Sequence, residues 1–324
     1  MSTAPTAFSI PAPLFRDPIY DGAADPTIIW NRQEKSWWIL YTARRANQEA
    51  MDVAYCHGTD IGVASSSDHG RHWIFRGYLE LPFEPGKNTF WAPEVVEANG
   101  VYHMYVACIR GVPNHFGEQD GHIYHYTGNN LWDWQNKGRI RLSSANVIDP
   151  CLFQLPDGTW RMWYKDETRG AVSMSADSRD LHNWQMNPEP AIADRPHEGT
   201  NVFRFRDRYW AVVDQWAGLA VYRSDDAAVW EFNNVILDRP SRRPDDGPSG
   251  AHADVLTIDD KAYIFYFTHP GRKKHTESPS NAAGVVPYEL RRSSLQAAEL
   301  DINEQKLVVV DRDRPTSFYL PDLT

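Results

Sequence analysis

The chain has 324 residues, of which 42% are hydrophobic and 23% charged, which suits a globular protein with a sizeable core. Its formal net charge of −10 argues against nucleic acid or an anionic membrane as a partner, because both select basic surfaces. The three cysteines are widely spaced without a CxxC, and no apolar run is long enough to span a membrane, so the sequence predicts neither a disulfide framework, a structural zinc site nor a membrane helix.

The N-terminal stretch MSTAPTAFSIPAPLFRDP lacks the basic and apolar regions of a signal peptide. We therefore expect a cytoplasmic protein, or a secreted one if a leader has been removed. No shift in composition marks a linker, so the sequence predicts one domain over residues 1–324, and nothing in it sets an oligomeric state.

Five segments along the chain share one pattern: a short apolar strand, a polar turn and an aromatic-rich strand, as in a β-hairpin. In chain order they are DPTIIWNRQEKSWWILYT from Asp25, APEVVEANGVYHMYVA from Ala92, DPCLFQLPDGTWRMWYK from Asp149, EGTNVFRFRDRYWAVVD from Glu198 and HADVLTIDDKAYIFYFT from His252. Each is followed by a third strand, in most copies with a closing tryptophan. The fifth copy, YELRRSSLQ at 288–296, lacks the tryptophan and places Arg291 near the start of the last blade's third strand. A short stretch that suits a fourth strand follows each third strand. A sandwich has no reason to repeat this pattern five times, so the sequence predicts an all-β, five-bladed β-propeller with about four antiparallel strands per blade.

Propeller blades begin around the central axis, so equivalent positions at the start of each blade converge there. These positions are Asp25, Ala92, Asp149, Gly199 with Glu198 directly before it, and His252. Taken singly, an Asp-Pro pair can begin a turn, Glu198 can be a surface acid and His252 a core histidine. Together, three carboxylates around one axis would be costly for stability alone, and this coincidence predicts a catalytic site.

The same segments carry motifs that resemble glycoside hydrolase family 43, a group of five-bladed propeller glycosidases. The motifs are the DP at Asp25, WAPEV at 91–95, IDP…F…DG at 148–158, EG at 198–199 and GAHADV at 250–255. The resemblance covers roughly residues 20–312. The chain departs from it by reading WAPE where WAPD is commoner, and by a long loop at 42–60.

The resemblance implies that Asp25 is the general base, Glu198 the general acid, and Asp149 the residue that tunes and orients that acid. Glycoside hydrolysis needs one charged and one protonated carboxyl group, and we expect a third carboxylate to raise the pKa of Glu198. Blades facing across a funnel leave room for a water molecule, which predicts inversion of the anomeric centre. His252 resembles a family histidine that contacts a central ion or water. No cofactor is required by this scheme, and a structural calcium near the axis is compatible with it, although calcium prefers oxygen ligands.

The loops between the second and third strands should border the entrance to the axis. Three are long, at 43–60, 108–121 and 269–284, and two are short, at 166–170 and 214–218. This arrangement predicts a walled pocket that is open on one side, rather than a long groove, which suits removal of a terminal sugar from an oligosaccharide. The candidate contacts to that sugar are Trp91 and Trp216 by stacking, for which packing between blades is the alternative, and His115 and Arg291 by hydrogen bonds.

The resemblance implies an α-L-arabinofuranosidase or a β-D-xylosidase acting on oligosaccharides of plant polysaccharides. Two alternatives remain at this point. One is a retaining fructosyl hydrolase with Asp25 as nucleophile, against which stands the glycine after Glu198, where those families typically have cysteine. The other is a sugar-binding propeller without catalysis, against which stand the three crowded acids.

Overall fold

Five four-stranded antiparallel sheets are arranged around one axis in the computed structural model, which describes residues 8–115, 121–274, 280–281 and 283–323. Within each sheet the strands are hydrogen-bonded in chain order, so every blade is one continuous stretch of chain. The predicted five-bladed β-propeller is confirmed. The predicted single domain over residues 1–324 includes residues 1–7, 116–120, 275–279, 282 and 324, which lie outside the described residues.

The strands of each blade are numbered in chain order. Blade 1 contains β1 (Ala23–Asn31), β2 (Ser36–Ala43), β3 (Asp60–Ser66) and β4 (Ile74–Tyr78); blade 2 contains β5 (Thr89–Ala98), β6 (Val101–Ile109), β7 (His122–Gly128) and β8 (Gln135–Arg139); blade 3 contains β9 (Val147–Gln154), β10 (Trp160–Asp166), β11 (Val172–Ser178) and β12 (Gln185–Met186); blade 4 contains β13 (Glu198–Phe205), β14 (Arg208–Asp214), β15 (Leu219–Ser224) and β16 (Glu231–Ile236); blade 5 contains β17 (Ala251–Ile258), β18 (Lys261–Thr268), β19 (Ser294–Ile302) and β20 (Val308–Val310).

Helical structure in the described residues is confined to α1 (Tyr288–Arg291) and two 3₁₀ turns, Ala54–Cys56 and Glu167–Arg169. None of these is long and apolar enough to cross a membrane.

The core lies between the blades rather than within them. The second strands are rich in aromatic and β-branched residues, and β2 is buried along its whole length because neighbouring blades cover both of its faces. Five clusters of buried side chains each join two adjacent blades, and the cluster between blades 1 and 5 closes the ring. The ring of interfaces therefore places the first strands, and the residues that begin them, around one axis.

In each first strand, a second position faces the axis two residues after the one that carries Asp25, Ala92, Asp149, Gly199 or His252. Side chains at this second position form hydrogen bonds to the next blade. Glu94 accepts the backbone N–H of Leu152 in the next blade (2.7 Å), and Asp254 accepts that of Ile28 (2.7 Å). Cys151 and Asn201 accept equivalent N–H groups from their own following blades. Burial and the charge of Asp254 raise the pKa of Glu94 well above its ordinary value. The unusual glutamate of WAPE thus serves as a bridge between blades.

The two terminal segments close the propeller by crossing between blades 1 and 5. Phe8 pairs with Phe318 in antiparallel fashion and Phe15 pairs with Leu295, while the Trp37 indole N–H donates to the Pro321 carbonyl (2.9 Å). Each described blade consists of one contiguous stretch of chain, so no blade combines strands from both ends of the chain to hold the ring closed. The contacts of the terminal segments hold blades 1 and 5 together instead.

We therefore expect Phe318→Ala to lower the free energy of unfolding by about 3 kcal/mol, the lower end of the usual cost of deleting a buried phenylalanine. Phe318 is fully buried and packs edge-on against Tyr263, with ring centroids 5.0 Å apart. Leu323→Ala is the matched control, since Leu323 lies in the same segment but is 44% exposed. Chemical denaturation measures both, and equal stabilities for the two variants would contradict a closing role for Phe318.

Two buried histidines meet inside blade 2, away from the axis. His103 Nδ1 and His125 Nε2 are 3.0 Å apart, and the ring of His182 from blade 3 packs against both. Burial, together with the neighbouring histidines, lowers the pKa of His103 to about 4 and that of His125 to about 3. Other charged groups nearby are Glu97, Lys137 and Asp180.

We expect acid to destabilise the fold through this pair. The unfolded chain protonates its histidines below an ordinary pKa of 6.5, whereas the folded protein keeps these two neutral to lower pH. The free energy of unfolding therefore falls by about 1.4 kcal/mol per pH unit for each histidine between pH 6.5 and the lowered pKa. In denaturation measured across this pH range, His125→Asn should reduce the dependence of the free energy of unfolding on pH. An unaltered slope in His125→Asn would show that the pair does not carry this linkage.

Candidate active site

A cavity of about 620 Å³ opens at the end of the axis where the first strands begin. Seven of the eight site residues predicted from the sequence line it: Asp25, Trp91, His115, Asp149, Glu198, Trp216 and His252. The eighth, Arg291, does not. The convergence of equivalent blade positions therefore places the three carboxylates and the histidine in one pocket.

A β-bulge at the start of each first strand explains how these side chains are aimed at the axis. The strand register shifts there in all five blades. Asp25, Ala92, Asp149 and Gly199 have positive φ values of 49°, 48°, 56° and 58°. Residues other than glycine seldom adopt this conformation, and where they do it often marks a functional site.

Gly199 also explains why blade 4 carries its acid one residue early. A Cβ at this position would lie 2.6 Å from the Cγ atom of His252, so no side chain fits. The carboxyl group of this blade comes instead from Glu198, on the residue before the bulge. The EG motif is thus a steric consequence of the neighbouring histidine.

Asp25 lies between two nitrogen-containing side chains. Arg44 Nη2 is 3.2 Å from Asp25 Oδ1 and 3.3 Å from Oδ2, and His252 Nδ1 is 3.5 Å from Oδ1. The Arg44 guanidinium is itself fixed over the ring of Phe267, 4.7 Å from its centroid. Asp25 is therefore held in one orientation at the bottom of the pocket.

Glu198 is paired with a buried lysine. Lys165 Nζ is 2.9 Å from Glu198 Oε2 and also 2.8 Å from Glu167 Oε1. Burial raises the pKa of Glu198, but the Lys165 ammonium outweighs it and lowers the pKa to about 2. The expectation that a third carboxylate raises the pKa of Glu198 is therefore wrong for the free protein, because a cation from the second strand of blade 3 lies closer to its carboxylate.

Two further carboxyl groups hold backbone N–H groups instead of cations. Asp149 Oδ2 accepts the N–H of Gly199 (3.1 Å), and Asp214 accepts those of Trp216 (2.7 Å) and His252 (3.0 Å). Burial, partly offset for Asp149 by His252, raises the pKa of Asp149 to about 6. Burial and the charge of Glu198 raise the pKa of Asp214 to about 7. Burial therefore moves the pKa of both acids from the ordinary range of aspartate towards neutrality.

The two predicted aromatic contacts, Trp91 of blade 2 and Trp216 of blade 4, both line the cavity. The Trp91 indole N–H donates to the Cys56 carbonyl (2.6 Å), which fixes the ring against the first long loop. Trp216 has a positive φ of 58° and lies with its ring centroid 5.4 Å from Lys165 Nζ. Such a conformation is rare for a bulky residue. Both rings are half-buried and lie where a sugar could stack, and this role stays a prediction.

Arg291 is corrected by the structure. The sequence suggested that it begins the third strand of blade 5, but it lies in α1, and β19 starts only at Ser294. Its side chain is 3% exposed and its Nη1 donates to the Gln48 carbonyl (2.6 Å). Arg291 therefore braces the first long loop from behind and does not reach the cavity.

The long loops of blades 1, 2 and 5 join into one wall. Asp52 in the first loop contacts His115 of the second (3.2 Å), and its N–H donates to the Gly284 carbonyl of the fifth (2.8 Å). Arg272 Nη2 in the fifth loop donates to the Tyr55 hydroxyl (2.9 Å). The short loops of blades 3 and 4 leave the other side lower. The predicted long loops include residues 116–120, 275–279 and 282, which lie outside the described residues.

Among the site residues that were missed from the sequence are Arg44, Lys165, Glu167, Asp214 and Arg272. All lie at the end of a second strand or in the loop that follows it. Because second strands end on the active face, a polar residue at that point was a usable signal.

Comparisons with known proteins agree with this geometry. No protein-family model matches the chain. It is 29% identical over 185 residues to a probable arabinan endo-1,5-α-L-arabinosidase A of Aspergillus clavatus, which covers 51% of this chain and 54% of that protein. The chain thus spans about half the length of the curated relatives it matches.

Two solved structures share the fold over nearly the whole chain. An exo-1,5-α-L-arabinanase from a bovine ruminal metagenomic library superimposes with a TM-score of 0.61 at 17% identity, covering 92% of this chain and 99% of that one. A family 43 β-xylosidase/α-arabinofuranosidase from a compost metagenome, solved with xylotriose in a calcium-free form, gives 0.66 at 14% identity, covering 94% and 98%. The resemblance to glycoside hydrolase family 43 is confirmed.

The calcium suggested by the family 43 resemblance does not fit the residues around His252. No three or more histidine, cysteine or acidic side chains in the described ranges are arranged to hold a metal ion. Burial lowers the pKa of His252, but Asp149 and Asp25 outweigh it and raise the pKa. An imidazole that favours its proton and faces a carboxylate is a poor ligand for an ion that takes six to eight oxygen atoms.

Proposed function

We propose that the chain is an inverting, exo-acting glycoside hydrolase that releases a terminal pentose from oligosaccharides of plant arabinan or xylan. The observation that carries this proposal is the presence of Asp25, Asp149 and Glu198 at the bottom of one walled cavity of about 620 Å³. Three acids at the end of a propeller axis suit cleavage of a glycosidic bond, and the names of the similar proteins supply the sugar class.

Each carboxyl group has a separate task in this mechanism. Asp25, held by Arg44, takes a proton from the water that attacks the anomeric carbon. Glu198 gives a proton to the departing glycosidic oxygen. Asp149 accepts the Gly199 N–H and so fixes the backbone beside Glu198. Attack by water from one side and protonation from the other inverts the anomeric centre.

The shape of the pocket supports release of a terminal sugar. Loops 1, 2 and 5 close one side through the contacts Asp52–His115 and Arg272–Tyr55, so a chain cannot run straight across. The competing candidate is internal cleavage of arabinan, which the names of the sequence relatives favour.

The test is the product released from linear 1,5-arabinan and from xylotriose. From arabinan, free arabinose in the first turnovers supports exo action, whereas mixed oligosaccharides support internal cleavage. Xylotriose gives xylose and xylobiose by either route, so it tests only whether xylo-oligosaccharides are substrates. Proton NMR of the first product separates inversion from the retention expected of a fructosyl-type mechanism. Binding without turnover of any glycoside, including nitrophenyl pentosides and fructosides, would leave a sugar-binding propeller.

A further inference from the structure

Lys165 lies beside Glu198 in the cavity, on β10 and directly before the loop between the second and third strands of blade 3. Its side chain is 5% exposed, and its ammonium contacts both Glu198 (2.9 Å) and Glu167 (2.8 Å). A buried ammonium needs carboxylate partners. Here one of those partners is the acid of the proposed mechanism, so Lys165 acts on the reaction through Glu198.

This ion pair opposes the task of Glu198. A general acid must carry its proton when the leaving group departs, whereas an ammonium at hydrogen-bonding distance stabilises the ionised carboxylate. The pKa of Glu198, which Lys165 lowers to about 2 against the effect of burial, agrees with this geometry. The empty pocket and the loaded pocket therefore require two different states of Glu198.

Glu167 provides the means of changing between these states. It begins the 3₁₀ turn Glu167–Arg169 at the edge of the cavity, and its carboxylate already contacts the ammonium. Lys165 can therefore leave Glu198 and keep a carboxylate partner. A glycosidic oxygen that hydrogen-bonds to Glu198 competes with Lys165 for the same carboxylate, so sugar binding favours this exchange.

On the basis of the proposed function, we propose that Lys165 is a positioning residue that holds Glu198 ionised in the empty pocket and moves to Glu167 when a sugar binds. Glu198 then takes one proton from the solvent and passes it to the glycosidic oxygen as that bond breaks. When the products leave, the ionised carboxylate pairs again with Lys165. Substrate binding thus switches on the acid.

The pH profiles of wild type test this exchange, since kcat/KM reports the free protein and kcat the loaded one. We expect the alkaline limb of kcat/KM to lie at least about one pH unit below that of kcat.

Lys165→Met should raise the kcat/KM limb towards the kcat limb, and Lys165→Arg should preserve the separation. Glu167→Gln should shift the kcat limb down by about one pH unit. It should lower kcat about tenfold at pH values above the wild-type limb, because there a one-unit lower pKa leaves about a tenth as much of the acid protonated. Lys87→Met, which breaks the exposed pair with Asp60 outside the cavity, is the matched control and should change neither limb.

Coinciding limbs in wild type, or shifts of the same sign in Lys165→Met and Glu167→Gln, would overturn the proposal. If Lys165→Met does not fold, the separation of the wild-type limbs and the result for Glu167→Gln still test the proposal.

If no glycoside is cleaved, the proposed function fails separately. Carbon-13 NMR of carboxyl-labelled glutamate then tests whether Lys165 is paired with Glu198. The Glu198 carboxyl signal is assigned by its loss in Glu198→Gln. In wild type it should stay ionised to much lower pH than in Lys165→Met or, if that variant does not fold, than the carboxyl signal of a short glutamate peptide. A Glu198 signal that titrates like either comparison would overturn it.

Discussion

Glu198→Gln is expected to lower kcat about 10²- to 10⁴-fold on a substrate whose leaving group is a sugar, and far less on the nitrophenyl glycoside of the same pentose. A sugar hydroxyl leaves only if its oxygen is protonated, and glutamine has no proton to give. Nitrophenolate departs without help, so its release does not depend on the acid. Parallel kinetics on xylobiose or arabinobiose and on the nitrophenyl pentoside measure the difference directly.

The control for this experiment is Glu189→Gln, an isosteric change at an exposed glutamate outside the cavity. It should alter neither rate. An equal loss on both substrates would assign Glu198 a part other than proton donation, and full activity on the sugar substrate would remove it from the mechanism.

The fold was predictable because its signal repeats. Five hairpins with alternating apolar residues and polar turns can be recognised even where one copy is weak. The prediction failed locally in blade 5, where 288–296 was read as the third strand. There Pro287 directly precedes the short helix α1 (Tyr288–Arg291), and the strand starts only at Ser294. An isolated helical turn has too few residues to show a helical period, so the apolar pattern alone could not reveal it.

The positions of the acids were predictable for the same reason, since equivalent positions of a repeat converge on the axis. Their partners were not. Arg44 and Lys165 come from second strands or the loops after them, and which cation meets which acid depends on distances that a sequence does not contain. The carboxylates near Glu198 are visible in the repeat pattern but Lys165 is not, so the predicted direction of the Glu198 pKa was wrong for the free protein.

Four acids of the site, Asp25, Asp149, Glu198 and Asp214, are of two kinds. Asp25 and Glu198 each face a basic side chain, Arg44 and Lys165 respectively. Asp149 and Asp214 have no salt bridge within the part of the chain that the structure describes, and they accept backbone N–H groups at the bulges of blades 4 and 5. The paired acids are the two that the proposed mechanism uses on the substrate, and the other two fix the backbone that presents them.

Asp25→Asn should lower kcat/KM by up to about 10⁴-fold on the sugar substrate and on the nitrophenyl glycoside alike. Attack by water is required whatever the leaving group, and an amide cannot take up the proton of that water. The substitution also leaves the Arg44 guanidinium, which is 18% exposed, without its carboxylate, so we expect the free energy of unfolding to fall as well. Rates on both substrates and chemical denaturation of the same preparation separate these two effects.

Asp225→Asn is the matched control, because Asp225 is also paired with an arginine, Arg208, but is 80% exposed and far from the axis in the chain's fourth blade. It should change neither the rates nor the stability by a measurable amount, as is usual for exposed pairs. The decisive measurement is how much activity each variant loses on the sugar substrate compared with the nitrophenyl glycoside. If Asp25→Asn spares the nitrophenyl glycoside as Glu198→Gln should, then Asp25 assists departure rather than attack, and the base must be sought elsewhere in the pocket. If both substrates lose activity equally in Asp25→Asn and unequally in Glu198→Gln, the two carboxylates act on opposite sides of the same bond.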